Sequence, residues 1–340
     1  MPVSNVEHRL HAAMVGIGNP FRVLTPRRLP ILAAALNTPT PVEIAAALGI
    51  PSERLDDDLA ALASAGIVSL VDGCVHPLAL IANASEVAAA DRVARGIGAQ
   101  MAHIVEHAWP LIEAVWRSLT IAEHASFADL SFLLVGDRLL DVGLLDALAS
   151  DGRLMPPAPP RNDVADPLAR YYLYVIEGDE SALGQYGQRS RPLPWDCWHH
   201  LTFGRYGTTE ARNPTRERLD AELREALTEP GRVESPEALA SLLGLPLFAA
   251  SDAQRWDEFA RALAGEIVGV YRAEERALRD LFASLRCART SLSTPGELLC
   301  WLDHLAYAHA IDALVASGRI VMPPGAVTAA IWCEDGGGAF

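Results

Sequence analysis

Between Pro26 and Ile81 the apolar and polar positions follow a regular order that predicts three helices and a hairpin. Leu29 to Leu36 is almost wholly apolar and reads as a first helix. Pro41 opens a second helix through Leu48, Gly49-Ile50-Pro51 turns the chain, and Ser52 stands where a helix cap belongs. In the third helix, to Ala65, Leu55, Leu59 and Leu62 fall at i, i+4 and i+7 and define a buried stripe. Two β-branched runs follow, Ile67 to Val71 and Cys74 to Leu78, joined by Asp72-Gly73, a strong two-residue hairpin signal. Three helices and a hairpin predict a winged helix.

Further along, Val93 to Leu119 has the pattern of an amphipathic helix. Pro214 to Gly244 is charged and helical, a solvated connecting face, with Glu229 to Pro236 as linker. Sliding the chain on itself by 166 residues places Trp116 on Phe282, Asp137 on Asp303, Asp146-Ala147-Leu148 on Asp312-Ala313-Leu314, and Gly152-Arg153 on Gly318-Arg319. This self-match predicts an internal duplication of about 101–180 and 267–336. The second copy, "LDHLAYAHAIDALVASGRIVMPP", has helical periodicity ending at Gly318, so Arg138 to Gly152 is expected to be helical too. Each copy then enters a short strand with an acidic end, "YYLYVIEGDE" and "AAIWCEDG". If those strands pair, Glu177, Asp179, Glu334 and Asp335 meet. The expected fold is mainly α: a winged helix over 1–85, then a helical domain with small strand elements in two halves, 86–212 and 213–340.

Charge narrows the function. Of 340 residues, 43 are acidic and 28 basic, a formal net charge of −15, and every one of the 28 is arginine. Without lysine, a pyridoxal Schiff base, a P-loop and a protein-kinase site are excluded, because arginine supplies no deprotonatable amine. The third helix carries Glu53, Asp57 and the flanking Asp56 and Asp58 against Arg54 alone, so no nucleic-acid partner is expected. The apolar runs are too short and interrupted for a membrane span, and no secretory signal is visible. Cys74, Cys197, Cys287, Cys300 and Cys333 are scattered and odd in number, which suits reduced thiols and a cytoplasmic protein.

The stretch "PTPVEIAAALGIPSERLDDDLAALASAGIVSLVDGCVHPLAL" resembles the N-terminal winged-helix dimerisation domain of bacterial small-molecule O-methyltransferases, over about residues 25–119. The resemblance implies a homodimer, with the helix Leu29 to Leu36 in its interface, and a small-molecule substrate. The family's glycine loop for the methyl donor is not found. In "RLLDVGLLDALASDG" Asp141 and Gly143 are present, but leucine replaces the other glycines and would block the cofactor's approach.

Two stretches carry candidate chemistry. "HIVEH" matches the inverted zinc-peptidase motif. It nominates His103, Glu106 and His107, with Asp303 and His304 of "DHLAYAH", as ligands for a divalent metal, and Glu177 or Glu180 as a distant third ligand. "WDCWHH" places Asp196, Cys197, His199 and His200 in a proline-flanked loop, where a thiolate beside imidazole or a His–Asp pair could act as catalyst. These features point to a small-molecule-processing enzyme of bacterial, specialised metabolism using acid–base or metal chemistry. A ligand-sensing or adaptor protein is the alternative, and a degenerate methyltransferase the third.

Overall fold

The structure is a computed structural model that describes residues 10–205, 213–228 and 233–334. It is mainly helical, 58% helix and 17% strand, with small sheets. The N-terminal part begins with β1 (Leu10–Ile17), then α1 (Leu29–Ala35), α2 (Pro41–Leu48), α3 (Ser52–Ser64), the hairpin β2 (Val68–Val71) and β3 (Cys74–Pro77), and β4 (Leu80–Ala82). A capping box between Thr40 and Glu43 starts α2, and left-handed Gly49 ends it. Ser52 does not cap α3: Pro51 takes the cap position and Ser52 is the first helical residue. Leu55, Leu59 and Leu62 are buried as their spacing requires. Asp72 and Gly73 both take positive φ, 51° and 76°, the conformation a tight two-residue hairpin demands.

Leu29, Ile31, Leu32 and Ala35 of α1 are buried within the single chain, and Pro30, Ala33 and Ala34 form its partly exposed side. One expectation about this part changes. Asp58 is buried. Arg27 (2.5 Å) and Arg28 (2.8 Å) hydrogen-bond its carboxylate, and although burial alone pushes its pKa up, those bonds hold it below the usual range. The exposed acidic face of α3 is therefore Glu53, Asp56 and Asp57.

The centre is built on α4 (Ala84–Arg117), capped by Asn83 and Glu86, and on α12 (Pro295–Ala316), which packs along it. Gly98 permits their close approach, since a β-carbon there would lie 2.5 Å from the Ala306 carbonyl oxygen. Among the described residues α12 is the one helix long and apolar enough to cross a membrane by length and composition. It is 78% buried in the fold, as a core helix is. Between the two come α5 (Phe127–Ser131), a π-helix (Phe132–Gly143) and α6 (Leu144–Asp151). The helical expectation for 138–152 thus meets an α-helix only in its second part. Its first part is wound more widely, and Asp141 and Gly143 lie inside it.

The remaining elements are β5 (Arg170–Glu177), β6 (Tyr186–Pro192), β7 (Trp198–Arg205), α7 (Pro214–Thr228), α8 (Pro236–Leu243), β8 (Leu247–Phe248), α9 (Ala250–Ala273), α10 (Glu275–Ser284), α11 (Cys287–Thr290) and β9 (Val327–Cys333). They complete two sheets, in the orders β1-β5-β4 and β6-β7-β9-β8. The two acidic-ended strands do not pair. β5 and β9 are inner strands of different sheets, each satisfied by its own neighbours. Glu177 accepts a bond from the Ala84 amide (3.3 Å), Asp179 from the Ser181 amide (2.8 Å), and Asp335 lies outside the described residues.

A buried ion pair ties the first sheet to the centre. Arg161 binds Glu297 of α12 at 3.1 Å and donates to the Tyr171 and Leu78 carbonyls. The second sheet is covered on one face by α7 and α8, through Leu193, Leu223, Leu239 and Ile331. Its other face turns to the π-helix, where Phe203 packs on Phe132 at 4.8 Å between ring centres.

Candidate functional site

The proline-flanked "WDCWHH" stretch is a tight reversal between β6 and β7. The Leu193 amide bonds the Trp198 carbonyl (2.9 Å), and Cys197 takes a left-handed φ of 62°. Trp195 and Trp198 pack into the cluster under α7 and α8, while Asp196 stays exposed on the turn. Cys197 is not a thiol: it is disulfide-bonded to Cys333 at the end of β9. This corrects both the thiolate-nucleophile reading of Cys197 and the expectation that all five cysteines are reduced. The remaining described cysteines, Cys74, Cys287 and Cys300, are free, and burial pushes the Cys287 and Cys300 thiols up.

His199 and His200 are adjacent on β7, so the two-residue period of a strand sends them to opposite faces. His200 goes under α7. It is buried, its Nε2 has no hydrogen-bond partner, and desolvation drives its pKa down to about 4 against the pull of Asp220. It is a neutral packing residue. His199 faces the π-helix side at the rim of the sheet, with a quarter of its side chain exposed. Its Nδ1 lies 2.8 Å from the Ser190 hydroxyl on β6. Its Nε2 lies 3.7 Å from the Glu334 carboxylate, just past the end of β9.

Register explains this meeting. Ser190 pairs with Leu201 and Pro192 with His199, so Ser190 and His199 are diagonal neighbours on one face. His199 pairs with Trp332, which puts Glu334 two residues further along that same face. The Cys197–Cys333 bond and a bond from the Glu334 amide to the Cys197 carbonyl (2.7 Å) clip the acid beside the imidazole.

Arg138 anchors the far side. It reaches out of the π-helix, covers the Trp332 ring at 4.6 Å, makes two bonds to Asp257 of α9 (2.8 and 3.2 Å), and comes within 3.5 Å of Glu334. Asp146 of α6 lies in the field of Arg138, Arg261, Asp257 and Glu334. Desolvation raises its pKa to about 6, the range of an acid–base catalyst near neutral pH.

The proposed metal ligands do not gather. His103 and His107 are exposed on the outer side of α4, with Glu106 half-buried between them. Asp303 and His304 lie inside the core on α12. Among the described residues no group of three His, Cys, Asp or Glu side chains is placed to hold a metal ion. Glu177 is already bonded to the start of α4.

Asp303 belongs instead to a buried acidic group with Asp137 and Asp141 of the π-helix. Asp303 accepts from the Tyr271 hydroxyl at 2.5 Å. Gln188 donates to Asp137 (3.3 Å) through its side chain and to Asp141 (3.2 Å) through its backbone amide. Desolvation pushes Asp141 and Asp303 to about 8, the charge of Asp303 adds to the shift at Asp141, and Asp137 is raised well above its normal value. His304 is buried beside Tyr307, bonded to the Cys300 carbonyl (2.8 Å) and brought down to about 4 by desolvation.

A shallow groove of about 320 Å³ between Trp116 and Glu123 has no such pairing of acid and base in its wall. Sequence reading singled out His199 but missed Ser190, Arg138, Asp146 and Asp257. The one available signal was the reversal at Leu193 to Cys197, which folds "QRSRP" back on "WHHLT" and makes Ser190 a neighbour of His199. Comparison of the chain with protein-family models, curated proteins and solved structures gives no match.

Proposed function

We propose that the chain is a small-molecule-processing enzyme whose proton-transfer residue is His199, supported by Glu334 and Asp146. The observation that carries this reading is an imidazole hydrogen-bonded to a hydroxyl on one side and facing a carboxylate 3.7 Å away on the other, at a partly open rim. Among the described residues, Asp137, Asp141, His200, Asp303 and His304, whose pKa values are also strongly shifted, are closed to solvent. The N-terminal helices and hairpin support the winged-helix reading, and with it a homodimer as partner. The acidic outer face of α3 supports the expectation of no nucleic-acid ligand.

The test is depletion of compounds from a small-molecule extract, followed by mass spectrometry. Wild type should consume at least one compound about 100-fold faster than His199→Ala, a typical lower bound for a lost acid–base group. If no His199-dependent consumption is seen, the enzyme reading fails in favour of the adaptor. The adaptor has its own support: Ile17, Phe21, Val164 and Leu168 stand exposed around the Arg22–Asp163 contact.

A further inference from the structure

Ser190 is the residue of the rim that proton transfer alone leaves without a task. β6 is the outer strand of its sheet, and its Arg189–Pro192 end is exposed. Three features meet there. The Ser190 hydroxyl is hydrogen-bonded to a histidine, and the opposite nitrogen of that histidine faces a carboxylate. The carboxylate is fixed by the disulfide next to it and by Arg138. The third feature is the backbone of Ser190 itself. The Gln188 amide points away from β7, to Asp141. Since strand amides alternate, the Ser190 amide points to the same open edge and is not spent on β7.

From this geometry we infer that Ser190 is a catalytic nucleophile and that the substrate class is a carboxylic ester. The inference rests on the proton-transfer reading of His199 and adds the covalent step to it. The Ser190 Oγ bonds to the acyl carbon while its proton passes to His199 Nδ1. The tetrahedral oxygen takes a hydrogen bond from the outward Ser190 amide. The bond to the alcohol then breaks, and the departing oxygen takes the proton from His199. Water attacks the acyl-serine next, His199 receives its proton and returns it to Ser190, and the acid leaves.

The Glu334 carboxylate, 3.7 Å from Nε2, offsets the imidazolium charge that appears twice in this cycle. The two ring nitrogens are used in the reverse order from the familiar serine proteases. Either order works, because the neutral imidazole has one donor and one acceptor nitrogen.

The test uses the full chain, with its disulfide intact, and an uncharged fluorophosphonate probe, which marks nucleophilic serines covalently. The expected result is one adduct, mapped to the peptide bearing Ser190, forming about 100-fold more slowly in His199→Ala. Hydrolysis of nitrophenyl acetate should fall about 100-fold in His199→Ala. An adduct absent from Ser190, or equally fast without His199, overturns the inference. Ser190→Ala alters an exposed side chain, so its fold is expected to hold, with the melting temperature as the check. If His199-dependent depletion of the extract persists in Ser190→Ala, the nucleophile falls and proton transfer by His199 stands. If depletion is indifferent to His199 as well, both fall.

Discussion

Two groups of acids, one at the rim and one in the core, share the π-helix and yet are arranged for opposite ends. Arg138 reaches from it to the rim, where Glu334, Asp257 and Asp146 meet a guanidinium, an imidazole and water. Asp137 and Asp141, on the same helix, turn inward to meet Asp303, tyrosine hydroxyls and Gln188. The larger pKa shifts are in the core, but nothing can reach those protons. Asp146, with its modest shift, and the partly exposed His199 are the groups that the proposed reading puts within a substrate's reach. A displaced pKa marks burial first, and it marks chemistry only when a partner and an opening accompany it.

The largest effect that can break this contrast is catalytic. His199→Ala should lower turnover by about 10²–10⁴-fold with little change in melting temperature, whereas Asp303→Asn should leave turnover intact. Kinetics and thermal melts of the same two proteins decide it. Next in size is the disulfide. Cys333→Ser should cost about 2–4 kcal/mol in denaturant unfolding. It should also speed amide exchange at the end of β7 while leaving the π-helix protected.

A smaller loss, about 1–3 kcal/mol, is expected for Asp303→Ala, which strands the Tyr271 hydroxyl in a dry site. Asp303→Asn keeps an acceptor there and should lose less.

The last effect is a slope with pH. Asp141 and Asp303 hold their protons in the fold up to about 8, against 3.8 when unfolded, so their contribution to stability is lost as pH rises from about 4 to 8. His200 and His304, depressed to about 4 from 6.5, act in the other sense: they add stability as pH rises through that lower window. The two trends oppose each other below about 6.5, leaving the acids alone between 6.5 and 8. Stability should fall over that upper window, and Asp141→Asn should flatten the fall.

What could be read in the chain beforehand follows from range of contact. α1, α2, α3 and the β2–β3 turn are set by neighbours a few residues apart, and their periodicity was plain. Asp58 looked like one of three surface acids because the arginines that bury it arrive from before α1. The π-helix was legible as a helix but not in its winding, since its inward carboxylates answer to α12 and β6. His199 stood out by residue type, whereas its partners depend on strand order. Glu334 was noted as an acid, but it was assigned to a pairing of β5 with β9 that separate sheets rule out. Cys197 and Cys333 are 136 residues apart, a span over which spacing says nothing of pairing.

The sheet order also has a consequence in time. β9 is an inner strand, lying between β7 and β8, although both of those are made before it. On a growing chain β7 therefore waits with one edge bare through the whole of α7 to α12. That edge is a place where a nascent polypeptide can stick to its neighbours. Insertion of the late strand does three things together: it closes the edge, brings Cys333 to Cys197, and delivers Glu334 to His199. A half-made chain thus holds Ser190 and His199 without Glu334, and the proposed chemistry would wait until the sheet is whole.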